Sequence, residues 1–206
     1  VIENFPEGEK IEFDVDYYRH DPEKTENRII ILTKEVYIER GDFMIEPPPK
    51  YYRLSPGKEV RLMNACLVTC TGYEQDQDGT ITEVRCTYDP DSLGGQAPDG
   101  RRVKGTLHWV PVSEAVDAEI REYDYLIHEE GIEEETDDFV DRINPNSKTV
   151  SMVKLEPALA GAQPGDRFQF MRHGFFVVDP VDSTEDNLVF NKTVSLRDSW
   201  SKKQKK

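Results

Sequence analysis

The feature that most constrains this chain is a hydrophobic alternation of period two that returns along its whole length. Apolar or β-branched residues alternate with polar ones over residues 11–15, 28–33, 35–39, 60–68, 81–88, 104–110, 120–127, 149–155, 168–172, 175–179 and 193–196. Turn chemistry separates these runs: Asp78-Gly79, Asp89-Pro90-Asp91, Gly94-Gly95, Asp99-Gly100, Pro145-Asn146 and Pro164-Gly165. The clearest hairpin lies within 60–88, where Asp78-Gly79 supplies residues that tolerate positive φ. A period of 3.6 is scarce, and only 113–121 (capped by Ser113) and 137–143 have room for a turn or two of helix. Many short strands with few helices predict an all-β class, as a sandwich or barrel. About eleven strands exceed one small barrel. The expectation is two consecutive or nested antiparallel β-barrels with a few short helices.

Charge is distributed unevenly. The chain has 206 residues with 26 Lys and Arg against 41 Asp and Glu, net −15, which taken whole argues against an anionic partner. Residues 50–104, however, carry 8 basic and 8 acidic side chains, so the negative excess lies outside this middle stretch. Part of it forms one run, 129–138, with seven carboxylates in ten residues, the pattern of a solvated loop. The three cysteines, Cys66, Cys70 and Cys86, are too sparse for a disulfide framework. Without a C-x2-C pair or a nearby His they read as strand-facing thiols in a reducing compartment, the cytoplasm. No apolar run is long enough for a membrane span, and none opens the chain as a signal peptide would. The first residue is Val, which suggests a processed chain or a piece of a longer one.

No motif supports catalysis. The chain lacks a G-x-x-x-x-G-K-[ST] phosphate loop, a G-x-G-x-x-G turn and a G-x-S-x-G elbow. His20, His108, His128 and His173 are separated from one another, and His108, beside Trp109, reads as a packed or edge imidazole. No catalytic and no metal-ligating residue is assigned. Basic side chains are instead interleaved with aromatics, as in Lys50-Tyr51-Tyr52-Arg53, Arg101-Arg102-Val103-Lys104 and Arg167-Phe168-Gln169-Phe170-Met171-Arg172. On a strand, Phe168 and Phe170 point one way while Arg167, Gln169 and Met171 point the other. Barrels that read single-stranded nucleic acid use this design, and so does an ordinary amphipathic strand with a solvated face.

Longer strings narrow the choice. Pro56-Gly57-Lys58-Glu59-Val60-Arg61-Leu62, Cys86-Thr87-Tyr88-Asp89-Pro90-Asp91-Ser92-Leu93 and Pro98-Asp99-Gly100-Arg101-Arg102-Val103-Lys104-Gly105 occur in order. They are followed by His108-Trp109-Val110, Ile143-Asn144-Pro145 and a closing Val189-Phe190-Asn191-Lys192-Thr193-Val194-Ser195-Leu196-Arg197-Asp198-Ser199-Trp200. Together they resemble the C-terminal region of the glutaminyl-tRNA synthetases, class I aminoacyl-tRNA synthetases. The resemblance covers nearly the whole chain and weakens over 16–30, over 129–138 and in the last residues.

The resemblance implies a tRNA anticodon-binding tail made of two barrels, with the distal one inserted into the proximal one. The proximal barrel would comprise 1–49 and 144–206, and the distal one 50–143. It also implies that glutamine is attached to its tRNA by an upstream catalytic domain of the same chain, which uses ATP and Mg. The tail itself would be inactive, would hold no cofactor, and would work as a monomer away from membranes. Position by position, Arg53 matches an arginine at the third anticodon base and Arg61 one at the first. Gln169 and Arg172 match residues around the middle uridine, and Arg197 one near the anticodon stem-loop. Two positions depart from the pattern: Tyr52 stands where a lysine is expected and Met63 where a second arginine is expected, which implies fewer contacts to the first base. The equivalent tail of an archaeal or eukaryotic-type glutamyl-tRNA synthetase, or an acidic β-barrel that binds protein, are the alternatives.

Overall fold

The computed structural model describes residues 1–18, 23–127 and 139–196. The acidic run 129–138, His20, His128 and Arg197 therefore lie outside the described residues. The chain forms two compact units, Val1–Ala115 with Glu156–Ala158, and Val116–Leu155 with Leu159–Lys206.

In chain order the first unit contains β1 (Ile11–Asp16), β2 (Asn27–Leu32), β3 (Val36–Ile38), β4 (Glu59–Leu62), β5 (Cys66–Gln75), β6 (Ile81–Tyr88), β7 (Thr106–Leu107) and β8 (Trp109–Pro111). They make three sheets: β1-β2, β3-β8, and a four-stranded sheet ordered β6-β5-β4-β7. All pairs are antiparallel except β4 with β7. The expected hairpin is β5–β6. The Asp76 carboxylate accepts hydrogen bonds from the backbone N–H groups of Asp78 (3.0 Å) and Thr80 (2.8 Å), and Gly79 takes φ +80°. Alternation sends Val60, Leu62, Val68 and Leu107 inward, where they pack with Phe5, Leu32 and Trp109. The three cysteines are free and buried in this core, and burial pushes the Cys66 and Cys86 thiols up to about 12.

The second unit is one five-stranded sheet, ordered β10-β9-β13-β12-β11. Its strands are β9 (Val116–Tyr123), β10 (Lys148–Leu155), β11 (Arg167–Phe170), β12 (Gly174–Val178) and β13 (Leu188–Val194). β13 runs parallel to β9 and the other pairs are antiparallel. Ala118, Ile120, Phe176, Val178, Leu188 and Phe190 form its core, with Phe168 and Phe170 packed against it. Phe170 stacks on Phe176 at 4.4 Å between ring centroids.

The chain is all-β, but the barrels are not closed. The five-stranded sheet ends at β10 on one side and β11 on the other, and these two edges make no ladder with each other among the described residues. Residues 113–121 are not a helix. A 3-10 turn, Val112–Glu114, leads into β9, where Val116, Ala118 and Ile120 alternate with Asp117 and Glu119. Of the stretch 137–143, residues 137 and 138 lie outside the described residues, and the rest supplies a 3-10 turn, Phe139–Arg142. The second unit begins at β9, which hydrogen-bonds to both β10 and β13.

Glu156 belongs to the first unit through an ion triad. Arg28 donates from Nε (2.6 Å) and Nη2 (3.2 Å), and His108 Nε2 lies 2.9 Å from Oε1. Burial alone would raise the carboxyl, but the bonds from His108 and Arg28 outweigh it and hold the group at about 2. Its ordinary value is 4.5, so the ionised form stabilises the fold above that pH. The contribution is lost as pH falls from there through about 2. Glu156→Gln should lower stability by about 3 kcal/mol at neutral pH. Denaturant melts at pH 7 and pH 3 should show this deficit shrinking by more than half on acidification.

Candidate nucleic-acid interface

The expected contact residues that are described, Arg53, Arg61, Gln169 and Arg172, fall two in each unit. In the first unit, Arg53 and Arg61 converge on Thr106. Arg53 lies in the loop before β4, and its Nη1 donates to the Thr106 carbonyl at 3.1 Å. Its Nε lies 3.0 Å from Oδ1 of Asp42, a carboxylate 2% exposed at the end of the 3-10 turn Arg40–Asp42. Arg61 sits on β4 with Thr106 as its cross-strand partner, and its Nε donates to the Gly95 carbonyl. Gly95 has φ +85°, and a Cβ there would come within 3.2 Å of the Arg61 side chain. Only glycine combines this conformation with such close passage.

Beside Arg61 opens a pocket of about 490 Å³, lined by Met63, Asn64, Gly95, Gln96, Arg101 and Thr106. Arg61 and Arg101 line it together with Met63, which stands where the resemblance implies a second arginine. Arg101, from the basic string before β7, is engaged by carboxylates. Its Nη2 lies 2.6 Å from Glu59 and 3.4 Å from Asp89, and its Nη1 lies 2.8 Å from Asp99.

In the second unit, Gln169 and Arg172 share the β11–β12 hairpin but not the same backbone conformation. Gln169 is exposed on β11, flanked by Phe168 and Phe170, which turn toward the core as the alternation requires. Its cross-strand partner is Phe175, 44% exposed, whose own partner on β13 is Val194. An amide, an aromatic ring and an aliphatic side chain thus line up across three strands. Arg172 was expected in the strand and lies instead in the turn Met171-Arg172-His173, with φ +69°. His173 N–H closes the turn on the Phe170 carbonyl at 3.0 Å. Gly174 ends it at φ +142°, where a Cβ would stand 2.4 Å from the Val194 carbonyl. The glycine, not the run of side chains, stops β11 at Phe170.

Phe175 was missed in the sequence, yet a signal was present. Phe175 and Phe176 are adjacent, and on a strand one of them must face away from the core. Lys192, in the closing string, pairs with Glu122 and lies 5.9 Å from the Phe176 ring centroid. Among the described residues no group of three or more His, Cys, Asp or Glu is placed to hold a metal ion.

Two family models match the chain, over residues 1–89 and 106–179. Both are described as the anticodon-binding domain of the class I (E and Q) tRNA synthetases. The chain belongs to this family: it is an anticodon-binding domain of the class I E and Q type. Within that class it is similar to proteins named glutamine–tRNA ligase. That of Clostridium perfringens is 45% identical over 203 residues, covering 98% of this chain and 37% of the relative. Those of Clostridium kluyveri and Pseudomonas putida are each 47% identical, covering 97% of this chain and 36% and 35% of the relatives. The chain thus spans about a third of the length of the curated relatives it matches.

Arg53 fixes the buried Asp42 as well as presenting its own guanidinium. Arg53→Ala should therefore cost about 2–3 kcal/mol, because a buried carboxylate loses its charged partner. Arg53→Leu combined with Asp42→Asn should recover at least half of the loss in a thermal melt.

Proposed function

We propose that the chain is the anticodon-reading part of a glutamine–tRNA ligase. The observation that carries this reading is the Gln169–Phe175 pair. An exposed amide, which offers a donor and an acceptor together, lies directly across two strands from an exposed aromatic ring. A splayed base of a single-stranded loop needs both, a face to stack on and an edge partner to hydrogen-bond. Gln169 and Arg172 then read the middle anticodon base. Arg53 reads the third base with a guanidinium held by Asp42 and Thr106, and Arg61 reads the first from the rim of its pocket. Arg197 contacts the stem-loop. None of these groups is a nucleophile or a general acid placed on a substrate, so the domain's work is recognition.

The ligation, with ATP and Mg, is assigned to parts of the protein beyond the anticodon-binding region. The family description covers both glutamate and glutamine enzymes, and the names of the similar proteins favour glutamine over the glutamyl alternative. We assign the protein to the cytoplasm as a monomer. No helix among the described residues is long and apolar enough to cross a membrane.

Each good edge contact discriminates by about 1–3 kcal/mol. Gln169→Ala should therefore weaken binding of a glutamine anticodon stem-loop by about tenfold. The same change should leave binding of a loop with an altered middle base nearly unchanged, narrowing the preference between the two. An equal loss for both loops, measured by titration at fixed salt, would overturn the assignment of Gln169.

A further inference from the structure

Tyr51 and Tyr52 are neighbours with different fates. Tyr51 is partly buried, and its hydroxyl donates to the Gly41 carbonyl at 3.0 Å. Tyr52 is 50% exposed, and its hydroxyl makes no hydrogen bond among the described residues. Its one described side-chain partner is a cation, Lys104 Nζ, 5.0 Å from the ring centroid. The backbone around this ring is unusually fixed. A Cβ on Gly105 would lie 2.8 Å from the Tyr52 carbonyl oxygen and 2.8 Å from Val60 Cγ1, so the chain at Gly105, just before β7, runs directly against residue 52. On its other side, Arg53 is tied to Thr106 and to the buried Asp42. The fold thus leaves half of a large aromatic residue exposed to solvent, on closely packed backbone, with a positive charge over the ring.

We propose that Tyr52, backed by Lys104, is a stacking platform for an unpaired base of the bound RNA, the one whose edge meets Arg53. The proposal rests on the anticodon-binding reading above. A base stacked on the ring keeps its edge free for a neighbouring donor, and Lys104, beside the ring, supplies a cation for a phosphate. Alternative uses of the same ring are weaker. It fills no core, and the 490 Å³ pocket is lined by other residues.

The test is a two-by-two comparison on the full chain: wild type and Tyr52→Leu, each titrated with an anticodon stem-loop and with the same loop carrying an abasic third anticodon nucleotide. Base–aromatic stacking of this kind predicts that Tyr52→Leu weakens the intact loop by about tenfold. It should leave the abasic loop within about twofold, while Tyr52→Phe binds both loops as wild type does. Lys104→Gln should weaken the intact loop less than Tyr52→Leu does. Equal effects of Tyr52→Leu on intact and abasic loops, or none on either, would overturn the platform while Gln169→Ala still reports base reading. If the wild-type chain binds neither loop, the anticodon-binding reading fails and the platform fails with it. An unchanged melting temperature for Tyr52→Leu separates these outcomes from misfolding.

Discussion

The second unit depends on the parallel pairing of β9 with β13. This ladder sets Ala118 against Leu188 and Ile120 against Phe190. The partners lie ~70 residues apart, so closing the loop between them costs about 4 kcal/mol of chain entropy. Leu188, Val189 and Phe190 are all buried, and each contributes roughly 1.5–3 kcal/mol on leaving water. Every other pairing of β11, β12 and β13 joins neighbours in sequence. Without β9, Phe168 and Phe170 would face a half-built core. Gln169, which sits between them and points the other way, would then have no fixed position.

The first unit solves a similar problem with backbone proximity rather than a long ladder. Gly105 lets the backbone just before β7 approach Tyr52 and Val60 more closely than any other residue would allow. The Thr106 carbonyl then lies within reach of Arg53, while the Thr106 backbone pairs with Arg61. Long arginine side chains are entropically costly to order. Here the ordering is done in folding, by Asp42, Thr106 and Gly95, so the guanidinium groups are in place before any ligand arrives. The same bonds make the arginines structural, so their removal acts on stability as well as on the recognition proposed for them.

What was legible in the sequence follows from how local each signal is. The β5–β6 hairpin was visible because Asp76, Asp78 and Gly79 carry their own turn chemistry. The outward face of Gln169 was visible because alternation needs only its two neighbours. The position of Arg172 was not, because its backbone is set by Gly174 pressed against the Val194 carbonyl, a contact about 20 residues away. The weak helical pattern over 113–121 gave way to β9 because two flanking strands offered ladders that a short isolated helix cannot match. Among the site residues, the tie of Arg53 to Asp42 crosses a loop with no motif of its own.

The overall charge constrains how such a surface can recognise RNA. A chain with net −15 gains little from general attraction to phosphate, which is the term that dominates binding by basic proteins. Around the first-unit pocket, part of the positive charge is neutralised in place, with Arg101 held by Glu59, Asp89 and Asp99. On the proposed reading, recognition would rest more on contacts to bases than on contacts to the backbone. Fixed amide and guanidinium groups beside exposed aromatic rings are suited to this. Stacking survives screening, and edge hydrogen bonds discriminate between bases, whereas phosphate contacts do neither. A weak electrostatic background then becomes useful, because it lowers affinity for every loop alike and leaves the base contacts to decide which loop stays bound.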